Sequence, residues 1–164
     1  MCEVVRPLLG LLHMECNALE NFEALMALCN LAGFEAPRKR SVSIIVISIQ
    51  GLIVCYLYFY RIVKEKGFSK IENYMYENHD MLKRASVQAI NNLLFDEEVI
   101  KMFEGKNDRT KYLFLLCTSE DIELSKAASG ALAILTSVSK RASRKIFEVS
   151  CSSPLQCSNV ELAL

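Results

Sequence analysis

The sequence repeats one helical pattern, and this repetition limits the chain to folds built from recurring helical units. Residues 20–31, 82–93 and 124–135 align with one another without gaps. In the third stretch, small and apolar residues recur at intervals of three and four, which places them on one continuous stripe of an α-helix. The stripe consists of Leu124, Ala127, Ala128, Ala131, Leu132 and Leu135. The second stretch has the same pattern, so we predict equivalent helices at these places.

A second apolar pattern precedes each of these helices at the same offset, so the repeating unit contains at least a pair of helices. Two sets of positions are equivalent: Leu9, Ile71 and Leu113 form the first, and Leu12, Tyr74 and Leu116 form the second. The turns between paired helices, at residues 14–17, 77–80 and 118–121, are rich in residues that cap helix N-termini. A further short helix is predicted over residues 96–104, with Asp96 as its cap, and three helices per unit are typical of armadillo repeats.

The period of the repeat distinguishes between the repeat families. Asn92 and the aligned Ile134 are 42 residues apart, within the roughly 40 to 47 residues of armadillo and HEAT units and above the roughly 33 to 34 of ankyrin and TPR units. Asn30 and Asn92 are 62 residues apart, an excess of 20. We therefore predict an all-α, armadillo-like α-solenoid of about three helical repeats, interrupted by an insertion.

An uncharged segment over residues 41–60 has the length of this excess. Its removal joins Arg40 to Arg61 and restores the 42-residue period, so we interpret it as an in-frame insertion, such as a splice or gene-model artefact. The predicted division has a first armadillo-like unit at residues 1–40 and this apolar insertion at 41–60. Two further units follow at 61–149, and a divergent tail occupies 150–164.

A membrane anchor is the alternative interpretation of the apolar segment. Twenty apolar residues can span a bilayer as a helix, and tyrosines gather at one end as in an interfacial belt. The alternative is a single-pass membrane protein anchored by residues 42–60, with a small helical cytosolic domain. The restored period favours the insertion, because a functional anchor has no reason to restore it.

Charge and cysteine usage exclude several classes of partner. Nineteen basic residues balance nineteen acidic ones, so the chain has no net field to attract nucleic acid or an anionic membrane surface. The seven cysteines are odd in number and show no C-x-x-C pair, and Cys29 and Cys117 lie in apolar helical patterns. Glu3 and Arg6 interrupt the N-terminus, which therefore does not read as a signal peptide. We expect a cytoplasmic protein with free, buried thiols.

No pattern typical of catalysis is present in the sequence. His13 and His79 have no accompanying nucleophile motif, and the paired carboxylates fall at helix starts, where capping is the simpler explanation. Gly33, Gly67 and Gly105 lie near predicted helix ends, where we expect the left-handed backbone conformation rather than a phosphate-binding loop. We expect no enzymatic activity, no cofactor and no metal, and keep a thiol enzyme only as a third alternative.

Six stretches carry a resemblance to a known family: residues 2–9, 21–33, 64–66, 71–80, 105–109 and 131–137. They resemble the UCS domain of animal Unc-type myosin chaperones. The resemblance runs over about residues 2–40 and 61–149, and fails over 41–60 and after Val149. It implies a non-enzymatic co-chaperone that binds the myosin motor domain, assists its folding and assembly, and works with Hsp90 in the cytoplasm, notably in muscle. In that family an N-terminal TPR domain contacts Hsp90, and this sequence shows no such domain.

The repeat also indicates candidate residues for protein binding. Armadillo arrays bind extended peptides along the last helix of each unit, where an asparagine bonds the peptide backbone, and Asn30 and Asn92 are equivalent there. The third copy has isoleucine instead, and an asparagine that satisfies its own helix end is an equal alternative. The loop that contains Lys106, Asn107 and Arg109 is a further candidate contact, although a solvated connection explains it as well.

Overall fold

The computed structural model describes residues 3–13, 17–33, 57–105 and 108–152, and all regular elements in these ranges are helical. In chain order they are α1 (Val5–Leu11), α2 (Ala18–Ala32), α3 (described over residues 57–64), α4 (Gly67–Asn73), a 3-10 turn (Tyr74–Tyr76), α5 (Asp80–Leu93), α6 (Glu97–Glu104), α7 (Arg109–Leu116), α8 (Ile122–Val138) and α9 (Lys140–Ser152). The predicted all-α class is confirmed, and each aligned stretch lies within one long helix, α2, α5 or α8.

The helices form two compact units, an N-terminal unit (Met1–Leu93) and a C-terminal unit (Leu94–Leu164). In the N-terminal unit, α2 packs along α5, α1 packs against α2, and α4 packs against α5. In the C-terminal unit, α7 packs against α8 and α9, and α9 also contacts α6. Each unit therefore buries short helices against at least one longer helix.

Among the described helices, asparagine or aspartate side chains cap the starts of three. The Asn17 side chain accepts a hydrogen bond from the backbone N–H of Glu20 at the start of α2. The carboxylates of Asp96 and Asp121 each accept two backbone N–H groups, at the starts of α6 and α8. These bonds satisfy donors that a helix start otherwise leaves unpaired. The capping turns before α2 and α8 and the short helix α6 are where the sequence predicts them.

The predicted equivalent positions form the apolar core of both units. Leu9, Ile71, Leu113, Leu12, Tyr74 and Leu116 are all at most 8% exposed. In α5 the whole predicted stripe is buried, and in α8 four of its six positions are buried, while Ala127 and Leu132 are partly covered. Burial of one large apolar side chain contributes about 1.5 to 3 kcal/mol. The alignment of α5 with α8 is therefore confirmed at the level of the buried side chains, whereas in α2 only Ala24 and Leu28 of the six aligned positions are buried.

Most of the apolar segment lies outside the described residues. Residues 57–60 form the first described turn of α3 and none of them is buried, whereas Ile62 is completely buried. The described core contribution of α3 thus begins after the predicted insertion. Within the described ranges, no helix is long and apolar enough to cross a membrane. Residues 42–56, which the membrane hypothesis requires, and residues 153–164 of the predicted tail lie outside those ranges, so the predicted division into units stays a prediction.

The expectation that glycines near helix ends adopt the left-handed backbone conformation is wrong for the described glycines. No described glycine has a positive φ angle, and the left-handed residue is Lys66, with φ of 57° just before α4. Gly67 serves a different purpose, since a Cβ atom there would lie 2.8 Å from the Ile62 carbonyl oxygen and 2.9 Å from Cδ2 of Leu9. The glycine therefore permits the close approach of α1, α3 and α4.

Replacement of Gly67 by alanine should destabilise the N-terminal unit by about 1 to 3 kcal/mol, because the added methyl group overlaps backbone and packed side-chain atoms. Gly10→Ala in α1 is the matched control, since a Cβ there meets nothing within 4 Å and alanine favours helix by up to roughly 1 kcal/mol. Urea unfolding followed by circular dichroism measures both changes. Equal stability of the two variants would contradict the close-packing role of Gly67.

Candidate protein-binding surface

The two asparagines predicted to bind a peptide lie in the last turns of adjacent helices. Asn30 is in the last turn of α2 and its side chain is exposed. Asn92 is in the last turn of α5 and is half-buried. Because α2 packs along α5 within one unit, the repeat places two equivalent amides on neighbouring helices, as the alignment predicts.

The side-chain amide of Asn92 has a partner inside the protein. Its Nδ2 donates a hydrogen bond to the carbonyl oxygen of Cys29 at 3.1 Å and lies 3.5 Å from the Cys29 sulfur. The same carbonyl accepts the backbone N–H of Gly33 at 2.8 Å. The last carbonyls of a helix have no partner within the helix, so these donors cap the C-terminus of α2. This contact supports a structural role for Asn92 and leaves Asn30 as the better candidate for an external partner.

One helical turn before each of the two asparagines lies a half-buried side chain, apolar in α2 and an amide in α5. Met26 and Gln88 precede Asn30 and Asn92 by one helical turn and are both half-buried. Asn91 has a covered side-chain carbonyl oxygen that accepts no hydrogen bond within the described part of the chain. A covered acceptor without a donor costs free energy. Because this oxygen is covered by the protein itself, it is not an accessible acceptor for a ligand.

The loop after α6 was predicted as a second contact, and its described part is held by the protein itself. Lys106 and Asn107 lie outside the described residues. Arg109 donates from Nη1 to the carbonyl oxygen of Met102 at 3.1 Å. The Thr110 hydroxyl donates to the Phe103 carbonyl oxygen at 3.3 Å. Arg109 thus helps to cap α6, which is a structural function that the sequence did not reveal.

Lys145 of α9 completes this cap. Its ammonium group donates to the carbonyl oxygens of Phe103, at 3.0 Å, and Gly105. Burial lowers the pKa of Lys145, and the nearby positive charge of Arg141 lowers it further. The contact ties α9 to the end of α6 by a cation placed where a helix C-terminus carries partial negative charge.

The two described thiols are poor nucleophiles. Cys29 is only 8% exposed, and Cys117 donates from its sulfur to the Leu113 carbonyl oxygen at 3.3 Å. Burial raises the pKa of both thiols. A thiol with a raised pKa stays protonated at neutral pH, and the protonated form does not attack. Among the described residues, no group of three or more His, Cys, Asp and Glu side chains is placed to hold a metal.

A buried asparagine missed by the sequence reasoning organises the N-terminal unit. Asn21 is 3% exposed, and its side chain donates to the His13 carbonyl oxygen at 3.1 Å and accepts the Tyr74 hydroxyl at 2.8 Å. In the C-terminal unit, Ser125 donates to the Cys117 carbonyl oxygen at 2.6 Å, across the same spacing of eight residues. The sequence contained a signal for these contacts, because Asn21 and Ser125 are both the second residue of an aligned stretch. A search for apolar stripes does not consider polar residues and so misses it.

Comparison with known proteins places these features in a family context. No family model matches the chain. Protein unc-45 homolog B of Xenopus laevis is 40% identical over 149 residues, and the human protein of the same name is 36% identical over 148. In each case the match covers 90% of this chain and 14% of the relative.

Solved structures give the same result. UNC-45 from Drosophila melanogaster matches with a TM-score of 0.74 and 48% identity, over 90% of this chain and 16% of that chain. The chain is homologous to one segment of the UNC-45 proteins. A second UNC-45 structure, described as showing molecular features critical for binding and folding muscle myosin, matches with a TM-score of 0.70 and 30% identity, over 89% of this chain and 14% of that one. The resemblance to the Unc-type chaperones and the armadillo-like helical-repeat fold are thereby confirmed.

Replacement of Asn92 by alanine should lower the free energy of unfolding by about 0.5 to 1.5 kcal/mol relative to Asn30→Ala, because only Asn92 caps α2. Both replacements raise helix propensity by the same amount, so the difference between them reports the hydrogen bond. Urea unfolding measures it. Equal unfolding midpoints for the two variants would refute the capping role.

Cys29 and Cys117 should be alkylated by iodoacetamide at pH 8 at least about ten times more slowly in the folded chain than in urea. A raised pKa reduces the thiolate fraction at every pH below the folded value, by a factor of about ten for each pKa unit. Peptide mapping by mass spectrometry follows each thiol separately, and the urea-unfolded chain is the control. Rates that match in the two states would contradict the buried, protonated thiols.

Proposed function

We propose that this chain is a non-enzymatic binding segment that holds part of an unfolded myosin motor domain, in the manner of a myosin chaperone. The observation that carries the proposal is the match to UNC-45 structures at TM-scores of 0.74 and 0.70, one of them described by its binding and folding of muscle myosin. The chain spans 14% of the length of its curated relatives, so it would supply one portion of a larger client-binding surface.

We call the part of α2 and α5 around Asn30 and Met26 the α2–α5 surface. Its side chains can hold an extended polypeptide. Unfolded backbone presents unpaired N–H and C=O groups, and an exposed amide such as that of Asn30 offers both a donor and an acceptor. Met26 beside it supplies an adaptable apolar contact, which suits clients of varied sequence. These groups support binding to a chain without a fixed fold.

The proposal extends to cooperation with Hsp90 in the cytoplasm and to muscle, as the resemblance to the Unc-type chaperones implies. It also assigns no catalytic step to the chain, since burial raises the pKa of both described thiols. In the proposed role, chaperoning proceeds by reversible binding alone.

Aggregation of a heat-unfolded myosin motor domain, followed by light scattering, tests the proposal. The chain should suppress aggregation, whereas an unrelated helical-repeat protein at the same concentration should not. Asn30→Ala should weaken binding of the unfolded motor by roughly three- to tenfold, as expected for the loss of one hydrogen bond. Asn73→Ala is the matched control, because Asn73 is also an exposed asparagine near a helix end.

Aggregation that proceeds equally with this chain and with the unrelated repeat protein would refute the proposal. Equal loss of affinity in Asn30→Ala and Asn73→Ala would refute the assignment to the α2–α5 surface alone. A variant that lacks residues 41–60 should retain the activity, because the described core contribution of α3 begins at Ile62.

A further inference from the structure

The tetrapeptide Lys-Arg-Ala-Ser occurs twice in the chain, at residues 83–86 and 140–143. Two cations placed three and two residues before a serine form a charge pattern that basophilic protein kinases recognise through acidic groups in their substrate clefts. Because these four residues are identical, the two serines can be compared for the effect of the folded structure, and synthetic peptides measure the effect of the flanking residues, such as Val87 and Arg144. Ser86 and Ser143 are therefore a matched pair of candidate phosphorylation sites within one chain.

The first serine is sealed in the core of the N-terminal unit. Ser86 is 0% exposed, and its hydroxyl donates to the Ile71 carbonyl oxygen at 2.6 Å. Its neighbours Ala85 and Val87 are 1% and 0% exposed. A kinase could reach Ser86 only after the middle of α5 had separated from the core.

The second serine lies in the first turn of α9, between exposed basic residues and the buried Ala142. Ser143 is half-buried, and its hydroxyl donates to the carbonyl oxygens of Thr136, at 3.1 Å, and Ser139, at 3.0 Å. Both contacts lie at the junction where α8 ends and α9 begins. Helix termini open far more readily than helix centres, so the hydroxyl can leave these carbonyls without unfolding the unit.

The cations of the second motif are also presented to solvent. Lys140, Arg141 and Arg144 are exposed, and the one buried side chain between them is the methyl group of Ala142. If this turn unwinds to enter a kinase cleft in extended form, it therefore exposes little apolar surface.

We propose that Ser143 is a phosphorylation site for a basophilic serine kinase that uses the magnesium complex of ATP. The Ser143 oxygen attacks the γ-phosphorus and forms a new O–P bond, while the bond from that phosphorus to the β,γ-bridging oxygen breaks and ADP leaves. The hydroxyl proton passes to the catalytic base of the kinase. Ser86, which has the same preceding residues, is not a substrate in the folded protein.

Phosphorylation would change the α8–α9 junction. The ester oxygen and the phosphate oxygens only accept hydrogen bonds, so the donations to the Thr136 and Ser139 carbonyls are lost. The phosphate carries about −1.5 to −2 charge at pH 7, and the exposed Lys140 and Arg144 beside it can pair with that charge. The modification thus replaces a tie between the two helices by charge pairing within α9, and releases the end of α8.

Incubation of the full chain with a purified kinase that accepts Arg-Arg-x-Ser peptides, with Mg-ATP, tests the site. All variants carry Ser41→Ala and Ser43→Ala, because these serines follow the basic residues 38–40. Mass spectrometry should find one phosphate on Ser143, absent in Ser143→Ala and retained in Ser86→Ala. The initial rate at Ser143 should exceed that at Ser86 by more than about a hundredfold, since opening a core helix is costly. Synthetic peptides of residues 79–90 and 136–147 should be phosphorylated at similar rates.

A native chain that accepts phosphate at Ser86 as fast as at Ser143 would overturn the proposal, as would a chain that accepts none at Ser143 while its peptide is a good substrate.

Hydrogen exchange then tests whether phosphorylation releases the end of α8. The backbone N–H of Ser139, which donates to the Leu135 carbonyl oxygen at 2.9 Å, should exchange roughly three- to tenfold faster after phosphorylation. An unchanged rate would contradict the release of α8.

Discussion

Burial of the same few apolar positions in successive helical segments is the interaction on which this structure depends. Helices of seven or eight residues, such as α1, α4, α6 and α7, are unstable in isolation because nucleation costs more than a few hydrogen bonds return. Leu9, Ile71 and Leu113, at equivalent places on three of them, are each at most 4% exposed. The short helices therefore exist because their apolar residues are covered by the rest of their unit.

Polar side chains then fix how the helices meet. Ser86, Ser125 and Asn21 donate to carbonyl groups at or just after the ends of preceding helices, and Asn92 does the same across 63 residues. These bonds join side chains of one element to backbone carbonyls of another, so they help to select one arrangement of the helices. These bonds leave the Asn30 side chain of α2 exposed, as the proposed binding role requires.

Local features of the fold could be read from the sequence, and long-range contacts could not. Asp96 and Asp121 cap helices within three residues of themselves, so spacing alone reveals them. The Asn92 amide reaches Cys29 across 63 residues, and no periodic pattern encodes that contact. The two asparagines predicted to bind a peptide are therefore alike in sequence but differ in the structure, since Asn30 is exposed and Asn92 is hydrogen-bonded to Cys29.

The glycines show a second limit of sequence reasoning. Glycine near a helix end usually indicates a left-handed backbone, yet Lys66 adopts that conformation and Gly67 is needed for space. The difference arises because the space at Gly67 is limited by packing against Ile62 of α3 and Leu9 of α1, and not by the backbone conformation of Gly67 itself. Likewise, the identical motifs at residues 83–86 and 140–143 place one serine in the core and the other half-buried at a helix start.

The most direct measurement of the central claim compares two leucines of one helix. Leu113 of α7 is 0% exposed at an equivalent core position, and Leu115 on the same helix is 42% exposed. Truncation of Leu113 to alanine should lower the free energy of unfolding of the C-terminal unit by about 2 to 5 kcal/mol, and truncation of Leu115 by less than about 1 kcal/mol. Equal losses in urea unfolding would contradict a fold that rests on these repeated buried positions.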